Sequence, residues 1–140
     1  MLNIMTLNDW YTNLESKIFT IVKARLKKSY ADAVFVTIDE NNTKTKFPSV
    51  LIKEMDGYEQ GMDLQGETIN ALLYTMQITV TSDKTKKEAT KIMSDVIPIM
   101  KSLRFTLVSL PVVLQDTNKY YSVARFRRMI GSGDTDLVSI

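Results

Sequence analysis

Histidine and cysteine are both absent from this 140-residue chain. Without cysteine there is no disulfide framework and nothing that points to an oxidising compartment. Without either residue the usual zinc sites cannot be built, and Ser-His or Cys-His nucleophilic catalysis is ruled out within the chain. The side chain that ordinarily moves protons near neutral pH is missing too. Catalysis would have to rest on carboxylates, lysine or tyrosine, and no enzyme is expected. Charge of one sign is also lacking: 18 Lys plus Arg against 16 Asp plus Glu leave +2, too little for a whole-domain basic footprint on nucleic acid. Long apolar runs are missing as well. Residues 34–38 and 107–114 are the main ones, both shorter than the roughly 20 residues of a membrane-spanning helix, and both read as strands. Residues 1–10 carry no basic n-region, so no signal peptide is expected there, and the default compartment is the cytoplasm.

What is present has the composition of a globular protein, 44% hydrophobic and 24% charged. The length suits a single domain with its own core. That core is expected over residues 7–130, followed by a flexible C-terminal tail over residues 131–140. Leu7, Trp10, Tyr11, Leu14, Ile18, Ile21, Val22 and Leu26 recur at helical spacing. Thr6 or Asn8 is positioned to cap this helix, with Asp9 in its first turn. Lys23, Arg25, Lys27 and Lys28 crowd its last turns, where cations favour the negative end of the helix dipole; the same cluster would suit phosphate. Residues 34–38 then read as a short strand and residues 49–54 as a second, opened by Phe47-Pro48. The polar Asp39-Glu40-Asn41-Asn42 between them predicts a hairpin.

Residues 55–66 interrupt the pattern and hold Gly57, Gly61 and Gly66. From Glu54 to Glu67 there are acids at Glu54, Asp56, Glu59, Asp63 and Glu67, and no lysine or arginine. The stretch reads as a long loop of a kind that often carries function, with Met55, Tyr58, Met62 and Leu64 as apolar anchors; a merely mobile loop is the plainer reading. Residues 71–81 alternate cleanly. Tyr74, Met76, Ile78 and Val80 share one face, and Thr75, Gln77, Thr79 and Thr81 the other, which predicts a strand with one buried face. Ser82 and Asp83 end it and cap a long helix reaching Leu103. Its stripe is Ala89, Ile92, Met93, Val96, Ile97, Met100 and Leu103, with Lys84, Lys86, Lys87 and Lys91 on a solvated face. Pro98 sits inside the stripe and should kink it. The methionines serve as core filling or as an adaptable binding face.

Residues 105–114 form a fourth strand that Pro111 confines to an edge or a bulge. After a turn at Asp116-Thr117-Asn118, residues 119–130 form a fifth, with Tyr121, Val123, Arg125 and Arg127 on one side. The expected fold class is α+β: one mostly antiparallel or mixed sheet of about five strands, with an N-terminal helix and a long central helix packed on it.

No glycine-rich phosphate loop opens a helix, the spacing of an EF-hand is absent, and no metal or other cofactor is expected. Asp134 and Asp136 fall in the expected tail, a poor scaffold for a metal. The candidate site is a partner interface in two parts. One is the acidic loop with Met55, Tyr58, Glu59, Met62, Asp63 and Leu64. The other is the last strand with Tyr120, Tyr121, Arg125, Phe126 and Arg127, a mixture of aromatics and arginine enriched at interfaces. Arg125, Arg127 and Arg128 beside aromatics also suggest a nucleic-acid strand motif, though its glycine-aromatic signature is missing.

The order helix, two strands, long loop, strand, long helix, two strands resembles the tail-terminator and tail-completion proteins of long-tailed bacteriophages. The matching pieces are the opening helix over residues 7–28, Phe47-Pro48-Ser49-Val50-Leu51-Ile52 and Tyr74-Thr75-Met76-Gln77-Ile78-Thr79-Val80. The helix over residues 85–103, Leu103-Arg104-Phe105 and Tyr120-Tyr121-Ser122-Val123-Ala124-Arg125-Phe126-Arg127 complete them. The resemblance covers residues 7–130 and rests on loose patterns of residue type. It implies a small protomer that forms a ring, a hexamer as a rule, which caps the finished tail tube and joins it to the neck of the head. The implied partners are further copies of the chain, the tail tube protein and a neck or head-completion protein. They would meet in a virion assembled in the host cytoplasm, with no membrane and no sequence-specific nucleic acid. No catalytic residue carries over. The alternative is a small nucleic-acid-binding module using Lys23, Arg25, Lys27, Lys28 and the strand from Arg125 to Arg128; the net charge favours the ring protein.

Overall fold

The computed structural model describes residues 11–37, 46–62, 69–131, 133, 134 and 137, with residues 56–62, 69 and 70 described by their backbone. The chain runs α1 (Leu14–Leu26), β1 (Val34–Val36), β2 (Ser49–Met62), β3 (Ile69–Ser82), α2 (Lys86–Ser102), β4 (Thr106–Asp116) and β5 (Lys119–Gly131). The strands form one sheet in the order β1-β2-β3-β5-β4. Both helices pack on one face of it, as the α+β expectation requires.

The helical stripes fill that layer. Leu14, Ile18, Val22 and Leu26 of α1 and Ala89, Ile92, Met93, Val96 and Met100 of α2 are buried. They meet Val50 and Ile52 of β2, Tyr74, Met76, Ile78 and Val80 of β3, and Ala124, Phe126 and Ile130 of β5. Each fully buried aliphatic side chain contributes about 1.5–3 kcal/mol over its exposed state. Met76, Met93 and Met100 are core residues here, which accounts for those three methionines as packing.

The local structure departs from expectation at several points. α1 begins at Leu14 behind Asn13, whose side chain makes no capping bond. Residues 11–13 form a turn, with the Leu14 N–H donating to the Tyr11 carbonyl at 3.3 Å. Thr12 and Asn13 are poor helix formers and interrupt the stripe expected from Leu7; Thr6, Leu7, Asn8, Asp9 and Trp10 lie outside the described residues. β1 and β2 pair in parallel, Val34 with Ser49 and Val36 with Leu51, so they form no hairpin. Hairpin loops are usually 2–5 residues, whereas parallel pairing needs a connection of roughly a dozen, and residues 37–48 have that length.

The expected loop over residues 55–66 is largely strand. β2 continues to Met62 and pairs antiparallel with β3 as far as Met62 with Ile69, across a register shift between Glu54 and Gly57. Residues 63–66 lie outside the described residues. Cross-strand pairing with β3 overrides the weak strand propensity of Gly57 and Gly61.

α2 is capped by Thr85, whose Oγ1 accepts the Glu88 N–H at 3.0 Å, rather than by Ser82 and Asp83. Ser82 supports this cap: its hydroxyl accepts from the Lys84 and Thr85 amides and donates to Glu88 Oε1 at 2.6 Å. Thr85 and Glu88 have capping-box spacing. Pro98 faces solvent, outside the buried stripe, and the helix runs through it to Ser102. α2 closes on Arg104 at φ 69°, with the Phe105 amide donating to the Met100 carbonyl and the Arg104 amide to that of Lys101. That pair of bonds is a Schellman motif, with arginine where glycine is usual.

Part of the expected C-terminal tail is fixed. Arg128 lies on the buried side of β5 and pairs with Asp134, and its Nη1 donates to the Leu103 carbonyl at 3.1 Å. Asp134 Oδ1 accepts the Leu137 amide at 2.9 Å, and Leu137 is buried in the core. An arginine that strand alternation turns inward needs a paired charge, and Asp134 supplies it.

Candidate functional site

Strand register divides the site residues between two faces. Residues opposite one another in a ladder share a face. On β5 the helix-covered face takes Ser122, Ala124, Phe126, Arg128 and Ile130, which are buried. The open face takes Tyr121, Val123, Arg125, Arg127 and Met129. Phe126, expected at an interface, is fully buried in the core, because alternation places it opposite in sense to Arg125 and Arg127. Tyr120 is half-buried and packs against the core, while Tyr121 is half-buried on the open face. Met55 is half-buried in β2. The backbones of Tyr58, Glu59 and Met62 belong to β2, at register positions opposite Leu73, Leu72 and Ile69. Asp63 and Leu64 lie outside the described residues.

The open face is basic at its centre. Lys53, Gln77, Arg125 and Ser109 occupy one rung across β2, β3, β5 and β4, and Thr75, Arg127 and Thr106 share another. Arg125 Nε donates to Gln77 Oε1 at 3.0 Å, and Arg127 Nε donates towards Thr75 Oγ1 at 3.4 Å. These contacts engage the Nε of each arginine, and both residues are exposed. Among the described residues no carboxylate pairs with either arginine.

β4 is the sheet's outer strand, and sequence reasoning placed no site residue on it. From Thr106 to Gln115 it carries no charge. Val108, Leu110, Val112 and Leu114 are all exposed, Leu110 at 79%. The register slips twice, between Leu107 and Ser109 and between Ser109 and Val112, so the strand is irregular around Pro111, as that proline leads one to expect. An unpaired, uncharged apolar edge is a template for another chain. The signal was available: proline marks an edge, and no lysine guards it.

Two concavities flank this edge. One of about 320 Å³ lies between α2 and β4, with Met93, Ile97, Leu110, Pro111, Val113 and Ser122 in its lining. The Ser122 hydroxyl is buried there without a hydrogen-bond partner, which is costly unless an incoming polar atom meets it. The other, of about 440 Å³, lies where the open face meets β4, beside Leu73, Thr106, Val108, Arg127 and Met129.

The remaining polar clusters tie elements together. Glu15 Oε2 of α1 accepts the Glu54 amide at 2.7 Å, beside the β2 register shift, and Tyr74 donates its hydroxyl to Glu54. Burial, reinforced by Glu54, raises the Tyr74 hydroxyl far above the ordinary tyrosine range. Tyr30 donates to Asp95, and burial with that carboxylate pushes it up to about 12. The basic end of α1 is partly engaged: Lys23 lies over the Phe19 ring at 5.7 Å and Arg25 donates to Ser102 at 2.6 Å. α1 lies on the helix-covered face, so this cluster and Arg125 with Arg127 look out from opposite sides of the sheet.

Among the described residues no group of three or more acidic side chains is placed to hold a metal, and no helix is long and apolar enough to cross a membrane. The described surface presents an apolar strand edge, a groove with an orphan hydroxyl, and a basic face. Compared with known proteins, the chain matches no family model and no curated sequence.

Proposed function

We propose that the chain is a structural, non-enzymatic subunit that assembles into a ring with copies of itself, as a tail-terminator or tail-completion protein of a long-tailed bacteriophage. The ring caps the tail tube and joins it to a neck or head-completion protein in the virion. The observation that carries the assembling role is the edge strand β4. It holds four of the five exposed large hydrophobic side chains among the described residues, and from Thr106 to Gln115 it has no charge to repel a partner. A neighbouring subunit that covers Leu110, Val112 and Leu114 also closes the adjoining groove and can satisfy Ser122. The phage assignment is supported by the element order and the sequence resemblance.

The experiment is to mix the purified chain with terminator-deficient tail tubes and image them, beside a Leu110→Asp, Val112→Asp variant. The parent chain is expected to form rings at tube ends and to permit head joining. The variant is expected to fold, with a melting temperature near the parent's, and to leave tubes uncapped. Tubes left bare by the parent chain would refute the assignment.

The exposed Arg125 and Arg127 favour a second reading, a nucleic-acid-binding module. The opposed orientation of the two basic clusters weighs against it, because they do not form one continuous basic surface for a duplex. Duplex binding with a steep salt dependence, weakened by neutralising Arg125 and Arg127, would support that reading.

A further inference from the structure

We propose that the open sheet face around Arg125 and Arg127 is the seat for the acidic β2–β3 arm of a second copy of the chain. The inference deepens the ring reading and rests on its self-association. It starts from a charge asymmetry within one molecule. β2 beyond Leu51 has no strand partner on its outer side among the described residues, since β1 pairs only as far as Val36 with Leu51; the Glu54 amide is taken by Glu15 of α1. In sequence, residues 55–67 carry Asp56, Glu59, Asp63 and Glu67, with no cation between Glu54 and Glu67. The open face holds the reverse. Lys53 and Arg125 share one rung and Arg127 the next, and no carboxylate among the described residues pairs with either arginine.

The apolar chemistry matches as well. Met62 and Leu64 stand on either side of Asp63 in the arm's sequence. The concavity of about 440 Å³ beside Arg127 is bordered by Leu73, Val108 and Met129. A segment with apolar side chains between acids fits a hollow with apolar walls under a guanidinium, and arginine pairs well with carboxylates. Arm and seat are different patches on the same molecule, so the contact is head-to-tail. Such contacts build rings when the rotation closes and filaments when it does not.

Charge reversal on both sides tests the contact. Arg125→Glu with Arg127→Glu turns the seat acidic; Asp56→Lys with Glu59→Lys turns the arm basic. Sedimentation of the parent chain is expected to show mass rising with concentration and falling with salt. Each reversed variant, checked for native circular dichroism and melting, is expected to self-associate about ten-fold more weakly or less. Mixing the two is expected to restore association in equal proportion, and combining all four substitutions in one chain is expected to restore it alone. Reversed variants that associate like the parent, or a mixture that stays monomeric, would overturn the seat. If Leu110→Asp still abolishes assembly in that case, the ring reading survives without this contact. A parent chain that stays monomeric at every concentration, its arm folded on its own face, would also overturn the seat; bare tubes as well would end the ring reading.

Discussion

Arg128 shows how one side chain constrains its surroundings. Its guanidinium is turned inward by strand alternation, and Asp134 with the Leu103 carbonyl makes that burial tolerable. Replacing Asp134 with alanine leaves a buried charge with only a carbonyl. We expect a loss of about 3 kcal/mol in urea unfolding. Arg128→Met combined with Asp134→Leu is expected to recover most of it, because a buried pair is often replaceable by apolar side chains of similar volume. Equal losses in the single and double variants would contradict this account. Tyr30 gives a pH-dependent test. Its hydroxyl is raised from 10.0 to about 12 by burial and by Asp95. The unfolded chain therefore deprotonates first as pH rises, and Tyr30's contribution is complete below pH 10 and lost as pH rises through the window to 12. The stability difference between the parent and Tyr30→Phe should shrink across that window; a flat difference would rule the contribution out. Single residues also show where pattern reading fails. Phe126 looked like an interface residue because composition alone groups it with Arg125 and Arg127, whereas its even position in β5 sends it to the core.

Among the elements, those with clean periodicity were legible and those stabilised by pairing were not. The alternation from Tyr74 to Val80 identified the buried face of β3, and the stripe from Ala89 to Met100 identified that of α2. β2 hid its length because Gly57 and Gly61 weaken any strand pattern, while the ladder with β3 supplies what those residues lack. β1 and β2 passed for a hairpin because polar residues signal a change of direction without saying how far the chain travels. Pro111 marked β4 as an edge, but the exposure of Val108, Leu110, Val112 and Leu114 along it has no periodic signature in a largely apolar run. The link between β5 and residue 134 leaves no periodic trace at all. The end of α2 offers a test at this scale. Arg104 adopts a left-handed conformation that costs a side-chain-bearing residue roughly 1–2 kcal/mol, and glycine there is the common solution. Arg104→Gly is expected to raise stability by about 0.5–1 kcal/mol after the added freedom of the unfolded chain is counted, read as a higher melting temperature. A lower one would mean that the contacts of the arginine outweigh its backbone strain.

For the molecule as a whole, the sheet divides labour between its faces. One is sealed by α1 and α2, and the other carries Arg125, Arg127 and the exposed Met129. Ile78 is at the centre of the sealed side, fully buried. Ile78→Asp is expected to abolish cooperative folding, because an unpaired carboxylate in that layer costs several kcal/mol, a large share of the roughly 5–15 kcal/mol by which domains are stable. A soluble variant with a sharp thermal transition near the parent's would show that the core is not where we place it.

The strand order carries a consequence for synthesis. β5 lies between β3 and β4, yet the ribosome makes β4 first. At about 5–20 residues per second, β4 spends up to seconds exposed beside the free edge of β3, where a wrong pairing is available. The turn at Thr117 and Asn118, both at positive φ, resolves this competition. Two left-handed residues give the tight reversal that suits the twist of a hairpin, and hairpins close in about 1–10 μs. Once β5 emerges, β4 is expected to pair with it far faster than the chain grows. That two-residue reversal thereby schedules when the apolar edge becomes the outside of a finished sheet.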